Sequence, residues 1–271
     1  MSNPFTAARA RNAGYARLKE LLPHVEFVQF IDGDCELIEG WLEMARTTLA
    51  GFADVAVVFG SQSERFPDAT VWNRLTNFEW QGQAGETDSC GGNALIRCQT
   101  LDQIGGFREG LIAGEEPEMC YRMRQKGWRI LRLSAGMAVH DANMTRFGQW
   151  WKRNHRAGHA FAEVSALHVA SPERFWVAET RRALVWGAGL PLLAGLGALI
   201  LTPWAMCLLL AWPAQVARLW SRGMPWELAF FLTLGKIPEA RGVLSFWASR
   251  ITRRSTGSVS YTHLTLPTKI V

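Results

Sequence analysis

The chain has 271 residues, of which 48% are hydrophobic and 20% are charged, so it is not an intrinsically disordered polymer and is long enough for one large domain or two small ones. Its net charge of +5 points to an anionic partner: nucleic acid, anionic lipid or a phosphorylated substrate. No Lys/Arg run with interleaved aromatic residues marks a nucleic-acid face, so we expect no nucleic acid and favour the other two.

The cysteines and the first residues restrict the class of protein further. Five cysteines, an odd number without a C-x-x-C pair, favour reduced cytosolic thiols over a disulfide framework or a zinc site. The opening residues are polar and basic and lack the apolar core of a signal peptide.

Predicted helices and strands alternate as far as residue 139. A helix over 5–22 precedes a strand over 25–31, a helix over Trp41 to Leu49 and a strand over Asp54 to Phe59; a polar connection over 60–68 and an aromatic stretch through Trp80 follow. Next come a glycine turn and short strand over 90–97, helices over 101–106 and 115–126, and strands over 128–133 and 136–139. This alternation predicts an α/β sheet with largely parallel strands and flanking helices.

Two aspartates follow the first predicted strand, in the sequence Asp32-Gly33-Asp34. Ligands bind at the carboxyl ends of strands in open α/β sheets, and paired carboxylates suit Mg²⁺ or Mn²⁺ carrying a phosphorylated substrate. The alternative is an Asx turn that caps the next helix. His140, just after a predicted strand, is a candidate third ligand, and Asp141 beside it is the alternative.

A second acidic pair, Glu115 and Glu116, follows Gly114 at a predicted helix start. A general base with a pKa near the working pH contributes about 10²–10⁴-fold to a rate. The alternative role is to complement the positive end of the helix dipole.

Three further groups are candidates for binding a substrate. Gly91 and Gly92 allow close backbone approach and Asn93 can hydrogen-bond sugar hydroxyls, unless the segment is a plain turn before a strand. The segment over 149–159 supplies the other two groups. Arg153 and Arg156 can bind diphosphate oxygens or face anionic lipid. Trp150 and Trp151 can stack on a sugar or lie at a membrane interface.

Along the chain these motifs come in the order Asp32-Gly33-Asp34, Gly91-Gly92-Asn93, Gly114-Glu115-Glu116 and the basic, tryptophan-containing segment over 149–159. Over residues 5 to 165 these four motifs, in that order, resemble those of the family 2 inverting glycosyltransferases, which have the GT-A fold. The resemblance implies a Rossmann-like, mostly parallel sheet, a nucleotide-diphosphate sugar donor, a glycan or lipid-linked acceptor, and Mn²⁺ or Mg²⁺ as cofactor. In the family pattern Gly-Glu-Asp-x-Asp the second acid is the general base. That role falls on Glu116, where glutamate replaces aspartate, and Glu115 stays as an alternative.

The resemblance also implies that the chain is a fragment. Members of the family open with a strand–helix–strand unit that holds the nucleotide, and the Ala-Arg-Asn-Ala-Gly segment ending at Gly14 resembles the family segment that comes directly after that unit. A catalytically inactive, membrane-bound glycan-binding or scaffold protein is therefore an alternative. Another metal-dependent nucleotide enzyme would show a basic, glycine-rich phosphate loop, which we do not find.

The sequence becomes strongly apolar after Arg182. No charged residue occurs over 183–217, Ala183 to Leu201 is long enough to cross a membrane, and Thr202-Pro203 interrupts the run. The shorter run from Trp204 to Ala217 is a second tilted pass or a re-entrant segment. Basic residues on both flanks favour a transmembrane hairpin with both ends in the cytoplasm, a buried core helix pair being the alternative. We expect an enzyme at the cytoplasmic face of the inner membrane.

These observations predict a sequence of segments along the chain. They are a partial GT-A domain over 1–165, a juxtamembrane linker over 166–182, a transmembrane hairpin over 183–220 and amphipathic interfacial helices over 221–258. Residues 259–271 resemble the translation of a sequencing-library adapter, so we expect a non-native tail there.

Overall fold

A computed structural model describes residues 5–252, which fall into two compact units divided after Asn143. The expected non-native tail over 259–271 lies outside the described residues.

The first unit combines a six-stranded sheet with helices. Its strands are β1 (Phe27–Phe30), β2 (Cys35–Leu37), β3 (Val55–Glu64), β4 (Gly85–Glu86), β5 (Ala94–Arg97) and β6 (Arg129–His140). Its helices are α1 (Ala7–Leu21), α2 (Trp41–Gly51), α3 (Val71–Glu79), α4 (Cys98–Ile104) and α5 (Glu115–Arg124). These elements confirm the predicted α/β class.

The sheet is mixed, with the strand order β1-β5-β3-β6-β2 and β4 paired to β6. Only β3 and β6 run parallel, and the other pairs of described strands are antiparallel. The prediction of a mostly parallel sheet is therefore wrong. Alternation of strands and helices does not fix strand direction, because the long segment between β3 and β5 can return the chain to either end of the sheet.

Strand β3 forms the centre of the core. Its residues from Val55 to Val58 are completely buried, which explains their continuous apolar sequence. Helix α2 covers this region with Trp41, Ala45 and Leu49, spaced four residues apart on one helical face. Burying a side chain the size of Leu49 stabilises the fold by about 1.5–3 kcal/mol.

Strands β3 and β6 are both longer than the sequence predicts. The predicted polar connection from residue 60 is instead strand as far as Glu64, because Ser61–Glu64 pairs in parallel with Gly136–His140 of β6. The two strands predicted over 128–133 and 136–139 are one continuous strand. This extra pairing brings Glu64 opposite His140, which matters for the candidate site.

The second unit is helical. Its helices are α6 (Phe147–Leu167), α7 (Val177–Leu184), α8 (Leu190–Ile200), α9 (Ala211–Ser221), α10 (Trp226–Leu234) and α11 (Lys236–Ile251). A π-helical segment (Val185–Gly189) joins α7 to α8, and a 3₁₀ segment (Pro203–Leu210) precedes α9. Helices α6 and α11 pack closely: a Cβ at Gly158 would overlap the Glu239 carbonyl, and one at Gly242 would overlap the His155 carbonyl.

One helix in the described part of the chain is long and apolar enough to cross a membrane. It runs from Val177 to Ile200, with 24 residues and a mean hydropathy of 1.9 in its most apolar window. The apolar run breaks at Thr202, as predicted, where the Thr202 side chain accepts a hydrogen bond from the Trp204 amide. The shorter helices beyond it do not meet the same criterion in the described residues, so a two-pass hairpin stays a prediction.

Candidate functional site

Three carboxylates from two separate stretches of the first unit meet at the guanidinium of Arg11. Its Nη2 lies 2.7 Å from Asp32 Oδ1, and its Nη1 lies 2.7 Å from Oε1 of both Glu115 and Glu116. Asp32 follows β1, whereas the glutamates begin α5, so the contacts bring two sequence motifs into one cluster. Arg11 was not among the predicted site residues, although it lies in the Ala-Arg-Asn-Ala-Gly segment.

Side-chain hydrogen bonds fix the helix that carries Arg11. The neighbouring Asn12 donates from Nδ2 to the Phe107 carbonyl (2.8 Å) and accepts at Oδ1 from the Phe107 amide (2.9 Å). At the start of α1, Thr6 Oγ1 accepts from the Arg9 amide and donates to the Glu109 carbonyl. Helix α1 is thereby tied to the loop that leads into α5.

Helix α5 is anchored by a buried acid one turn into the helix. Glu118 is completely buried and accepts hydrogen bonds from Arg108 and Arg122. Burial opposes its ionisation, but the two arginines outweigh burial and lower the pKa of Glu118. Gly114, with φ of 81°, supplies the left-handed turn before the helix. These contacts fix where Glu115 and Glu116 project.

The surroundings of Glu116 in this cluster bring its pKa close to neutral pH. Burial raises the pKa of Glu116 to about 7; the charge of Arg11 opposes this rise, whereas the negative charges of Glu115 and Asp32 add to it. Burial also opposes the charge of Arg11, but the carboxylates, Glu116 foremost, outweigh it and raise the pKa of Arg11. A carboxyl group that titrates near pH 7 has the property that a general base requires.

The predicted segment Gly91-Gly92-Asn93 lies against Asp32. A Cβ at Gly92 would overlap the Asp32 carboxylate and approach Arg11 Nη2 to 2.8 Å. Asn93 is completely buried and accepts a hydrogen bond at Oδ1 from the Asp32 amide, at 2.7 Å. Asn93 therefore holds the backbone of the aspartate motif. Its amide nitrogen donates to Cys35 Sγ and Gln62 Oε1, so its side chain is already hydrogen-bonded within the protein.

The second aspartate of the motif faces a different group. Asp34 Oδ1 lies 3.4 Å from His140 Nε2, and the Asp34 side chain is 56% exposed. Backbone pairing fixes this approach, because the Asp141 amide donates to the Asp34 carbonyl and Cys35 pairs with His140 across β2 and β6. The Asp141 side chain instead accepts from the amide of Asn143, in its own loop. The geometry favours His140 over Asp141 as the partner of Asp34.

The donor set tests whether these residues suit a divalent cation. Asp34, His140 and Cys35 each offer one ligand atom, and these atoms lie within 4.8 Å of one another. A carboxylate and an imidazole close enough to share an ion can hold Mn²⁺ with additional water or phosphate ligands, whereas Mg²⁺, which prefers oxygen ligands, would be held by Asp34 and those added ligands. Asp32, the other predicted ligand, points one oxygen at Arg11, so Asp34 and His140 suit the metal better than Asp32 does.

Glu64 is a further residue that sequence reasoning missed. Its side chain is completely buried, accepts from the Ala142 amide and Asn73 Nδ2, and lies 3.8 Å from His140 Nδ1. The Trp80 and His140 rings also pack against each other in a T-shaped arrangement, with their centroids 4.4 Å apart. A polar connection was predicted where Glu64 lies, so no pattern in the sequence pointed to it.

The predicted binding residues of α6 lie in the second unit. Trp150 is 2% exposed and packs against Phe147 and Phe231, which leaves little ring surface for a sugar. Trp151 also contacts Phe147 and is partly buried, as are Arg153 and Arg156. The residues described above around Arg11, namely Asp32, Glu115 and Glu116, belong to the first unit.

Known proteins with similar sequences include two glycosyltransferases, whereas no family model matches the chain. The chain is 28% identical over 174 residues to the pre-mycofactocin glycosyltransferase of Mycobacterium tuberculosis, across 59% of this chain and 35% of that protein. It is 24% identical over 170 residues to glycosyltransferase AglE of Haloferax volcanii, across 61% of this chain and 53% of that protein. The alignments therefore span about a third to a half of these relatives.

A solved structure shares the fold. The mannosyltransferase PcManGT of Pyrobaculum calidifontis, in complex with GDP-Man and Mn²⁺, matches with a TM-score of 0.55 and 17% identity, covering 88% of this chain and 66% of that one. This likeness shows a glycosyltransferase-like α/β fold. The activity named for both sequence relatives is that of a glycosyltransferase.

We predict that Gly92→Ala disturbs the cluster while Gly91→Ala does not. A Cβ at Gly92 overlaps the Asp32 carboxylate, which is 40% exposed and must turn away from Arg11, so we expect the free energy of unfolding to fall by about 1 kcal/mol. At Gly91 the nearest atom is Gln62 Nε2 at 3.6 Å, an ordinary contact, so the change should stay within about 0.5 kcal/mol. Urea unfolding of both variants measures the difference, and equal stabilities would contradict the described packing.

Proposed function

We propose that the chain is the catalytic part of an inverting glycosyltransferase of the family 2 type, using a nucleotide-diphosphate sugar as donor and a glycan or lipid-linked alcohol as acceptor. One observation carries the proposal: Asp32, Glu115 and Glu116 converge on Arg11, and Asp34, two residues from Asp32, faces His140. The ligands named for the mannosyltransferase structure, GDP-Man and Mn²⁺, support a nucleotide sugar and a divalent cation here.

The proposed reaction is a single displacement. Glu116 accepts the proton of the acceptor hydroxyl, the acceptor oxygen forms a bond to the anomeric carbon, and the bond from that carbon to the diphosphate oxygen breaks. Attack from the face opposite the leaving group inverts the anomeric configuration. Glu116 is favoured over Glu115 as the base because its pKa of about 7 balances ionisation against proton affinity.

The remaining residues bind and orient. Asp34 and His140 would hold Mn²⁺ or Mg²⁺, which when bound neutralises negative charge on the leaving diphosphate. Arg11 keeps Glu116 oriented and partly ionised through its 2.7 Å contact. Gly92 leaves room for Asp32 beside Arg11, and Asn93 fixes the Asp32 backbone.

A glycan-binding scaffold without turnover is the second candidate. The observation that favours it is that Arg11 already engages an oxygen of each of Asp32, Glu115 and Glu116. In an enzyme the Glu116 oxygen that does not contact Arg11 must stay open to the acceptor hydroxyl, whereas a scaffold needs no such access. Turnover separates the two candidates.

We further propose that the protein acts at the cytoplasmic face of the inner membrane. Support comes from the helix Val177–Ile200, of which only 11% of the most apolar window is buried inside the protein. Exposed leucines on this helix, such as Leu199 at 82%, suit contact with lipid. Arg181 and Arg182, just before the apolar run, suit a cytoplasmic flank.

We predict that Glu116→Gln lowers turnover by about 10²–10⁴-fold, because the amide cannot accept the acceptor proton. The assay is release of nucleoside diphosphate from a panel of UDP- and GDP-sugars with Mn²⁺ and membrane-derived acceptors. Glu115→Gln should retain more activity, and Glu43→Gln, an exposed acid on α2, should match the parent. Unchanged turnover in Glu116→Gln would remove the proposed base.

The pH profile tests the role of Arg11. Since Glu116 must be ionised to act, kcat/KM should rise with pH, reach half its maximum near pH 7 and level off about one pH unit higher. Arg11→Gln removes a positive charge that favours the ionised form of Glu116, so the pKa of Glu116 should rise. The acid limb of the profile, where kcat/KM rises with pH, should then move to higher pH. Arg17→Gln, which breaks an exposed pair with Glu20, should leave the limb in place. An unmoved limb in Arg11→Gln would contradict the coupling.

Membrane insertion is tested by fractionation of cells that express the full chain. We expect the protein in the membrane fraction and resistant to alkaline carbonate, because an apolar helix of 24 residues inserts effectively irreversibly. Release by carbonate would show peripheral binding, and recovery in the soluble fraction would contradict the membrane proposal.

A further inference from the structure

Three neighbouring strands place Cys35, His140 and Glu64 in one row. Cys35 of β2 pairs with His140 of β6, and His140 pairs in turn with Glu64 of β3. Directly paired residues project to the same face of a sheet, so this row holds a thiol, an imidazole and a carboxylate side by side. Asp34 adds a second carboxylate at the thiol end of the row.

The distances in this row suit a small, four-coordinate ion. Asp34 Oδ1 lies 3.4 Å from His140 Nε2 and 3.8 Å from Cys35 Sγ. Ligands bound tetrahedrally at the usual zinc distances of about 2.0–2.3 Å are separated from one another by about 3.3–3.8 Å. Asp34 thus lies at the required separation from both other donors, all three ligand atoms lie within 4.8 Å of one another, and the exposed Asp34 leaves an open side for water.

The chemistry of the donors differs from that of a magnesium site. Mg²⁺ prefers oxygen ligands throughout, whereas one sulfur, one nitrogen and one oxygen form a borderline-soft set that favours Zn²⁺ or Co²⁺. We propose that Asp34, Cys35 and His140 form a binding site for a borderline-soft cation such as Zn²⁺, with Cys35 as its sulfur ligand. Cysteine spacing alone cannot show this site, because its ligands come from two strands that are far apart in sequence.

Two neighbours orient the ligands. Glu64 faces His140 Nδ1 at 3.8 Å, and this nitrogen is buried without a hydrogen-bond partner. The carboxylate favours the tautomer with hydrogen on Nδ1, which leaves the Nε2 lone pair toward Asp34 for an ion. Asn93 Nδ2 donates to Cys35 Sγ at 3.0 Å and holds the sulfur beside the motif.

Binding transfers a proton to solvent. A coordinated thiol loses its proton outright, so one bond from sulfur to hydrogen is replaced by one from sulfur to the ion, and the proton leaves to water. One consequence rests on the proposed function. Because Asp34 and His140 are shared, Zn²⁺ would displace the catalytic Mn²⁺ and inhibit transfer.

Cobalt titration of the full chain tests the site without any need for turnover. Cys207→Ser removes the exposed thiol and serves as the parent protein. We expect Co²⁺ to produce sulfur-to-metal charge-transfer absorption that Zn²⁺ abolishes. Adding Cys35→Ser should remove this band and weaken Zn²⁺ binding at least about tenfold, while Mn²⁺ binding, which does not depend on sulfur, changes little. Cys98→Ser, at a buried thiol outside the row, is the matched control and should retain the band.

A second measurement covers the case in which the Cys35 variant fails to fold. In the parent protein, Zn²⁺ should protect Cys35 from alkylation, as followed by peptide mass spectrometry, and Mg²⁺ should not. Absence of the charge-transfer band, or equal alkylation with and without Zn²⁺, would overturn the proposal. If the sulfur–cobalt band is present but no sugar transfer is found, only the proposed function is contradicted. If sugar transfer is found but the band is absent, only this metal site is contradicted.

Discussion

The candidate site depends on the unequal charge balance around Arg11. Three carboxylates face a single guanidinium, each at 2.7 Å, in surroundings that exclude much of the solvent. If all were ionised, the group would carry two excess negative charges, which burial penalises. Two outcomes relieve the excess: one carboxyl keeps its proton, or a cation arrives. The raised pKa of Glu116 is the first outcome, and a nearby divalent ion would be the second.

This balance explains why so much of the first unit serves to position a few side chains. Asn12 ties α1 to the loop before α5, Glu118 anchors α5 through two arginines, and Asn93 holds the Asp32 backbone. Each of these groups is buried or partly buried and hydrogen-bonded, so carboxylates that would otherwise separate are held close together. The site is therefore a property of the packed sheet and helices more than of any single motif.

Part of this architecture could be predicted from the sequence. The positions of β1, β3, β5 and α5 could be predicted from apolar runs and from the glycines that end or precede these elements. Local periodicity and turn chemistry determine elements of this kind. Strand direction could not be predicted, since it depends on long-range pairing. The same limit applies to the continuation of β3: Ser61 to Glu64 is polar, and only its pairing with β6 makes it a strand.

The candidate site shows the same division. Asp32, Asp34, Glu115 and Glu116 could be found because acidic residues after strands and at helix starts have a chemical rationale. Arg11 and Glu64 could not be assigned, because one lies mid-helix and the other in a polar stretch, and their roles arise from tertiary contacts alone. The different partners of Asp32 and Asp34 likewise become visible only in the folded structure, where Asp32 faces Arg11 and Asp34 faces His140.

Anomalous X-ray diffraction from crystals of the protein grown with Mn²⁺ and a nucleoside diphosphate tests the central claim most directly. We predict a manganese peak bound by Asp34 and His140, with the diphosphate on the ion and the Glu116 carboxylate facing the same cavity. A manganese ion bound elsewhere, or an ion at Asp34 with Glu116 on the opposite face of the sheet, would contradict the account.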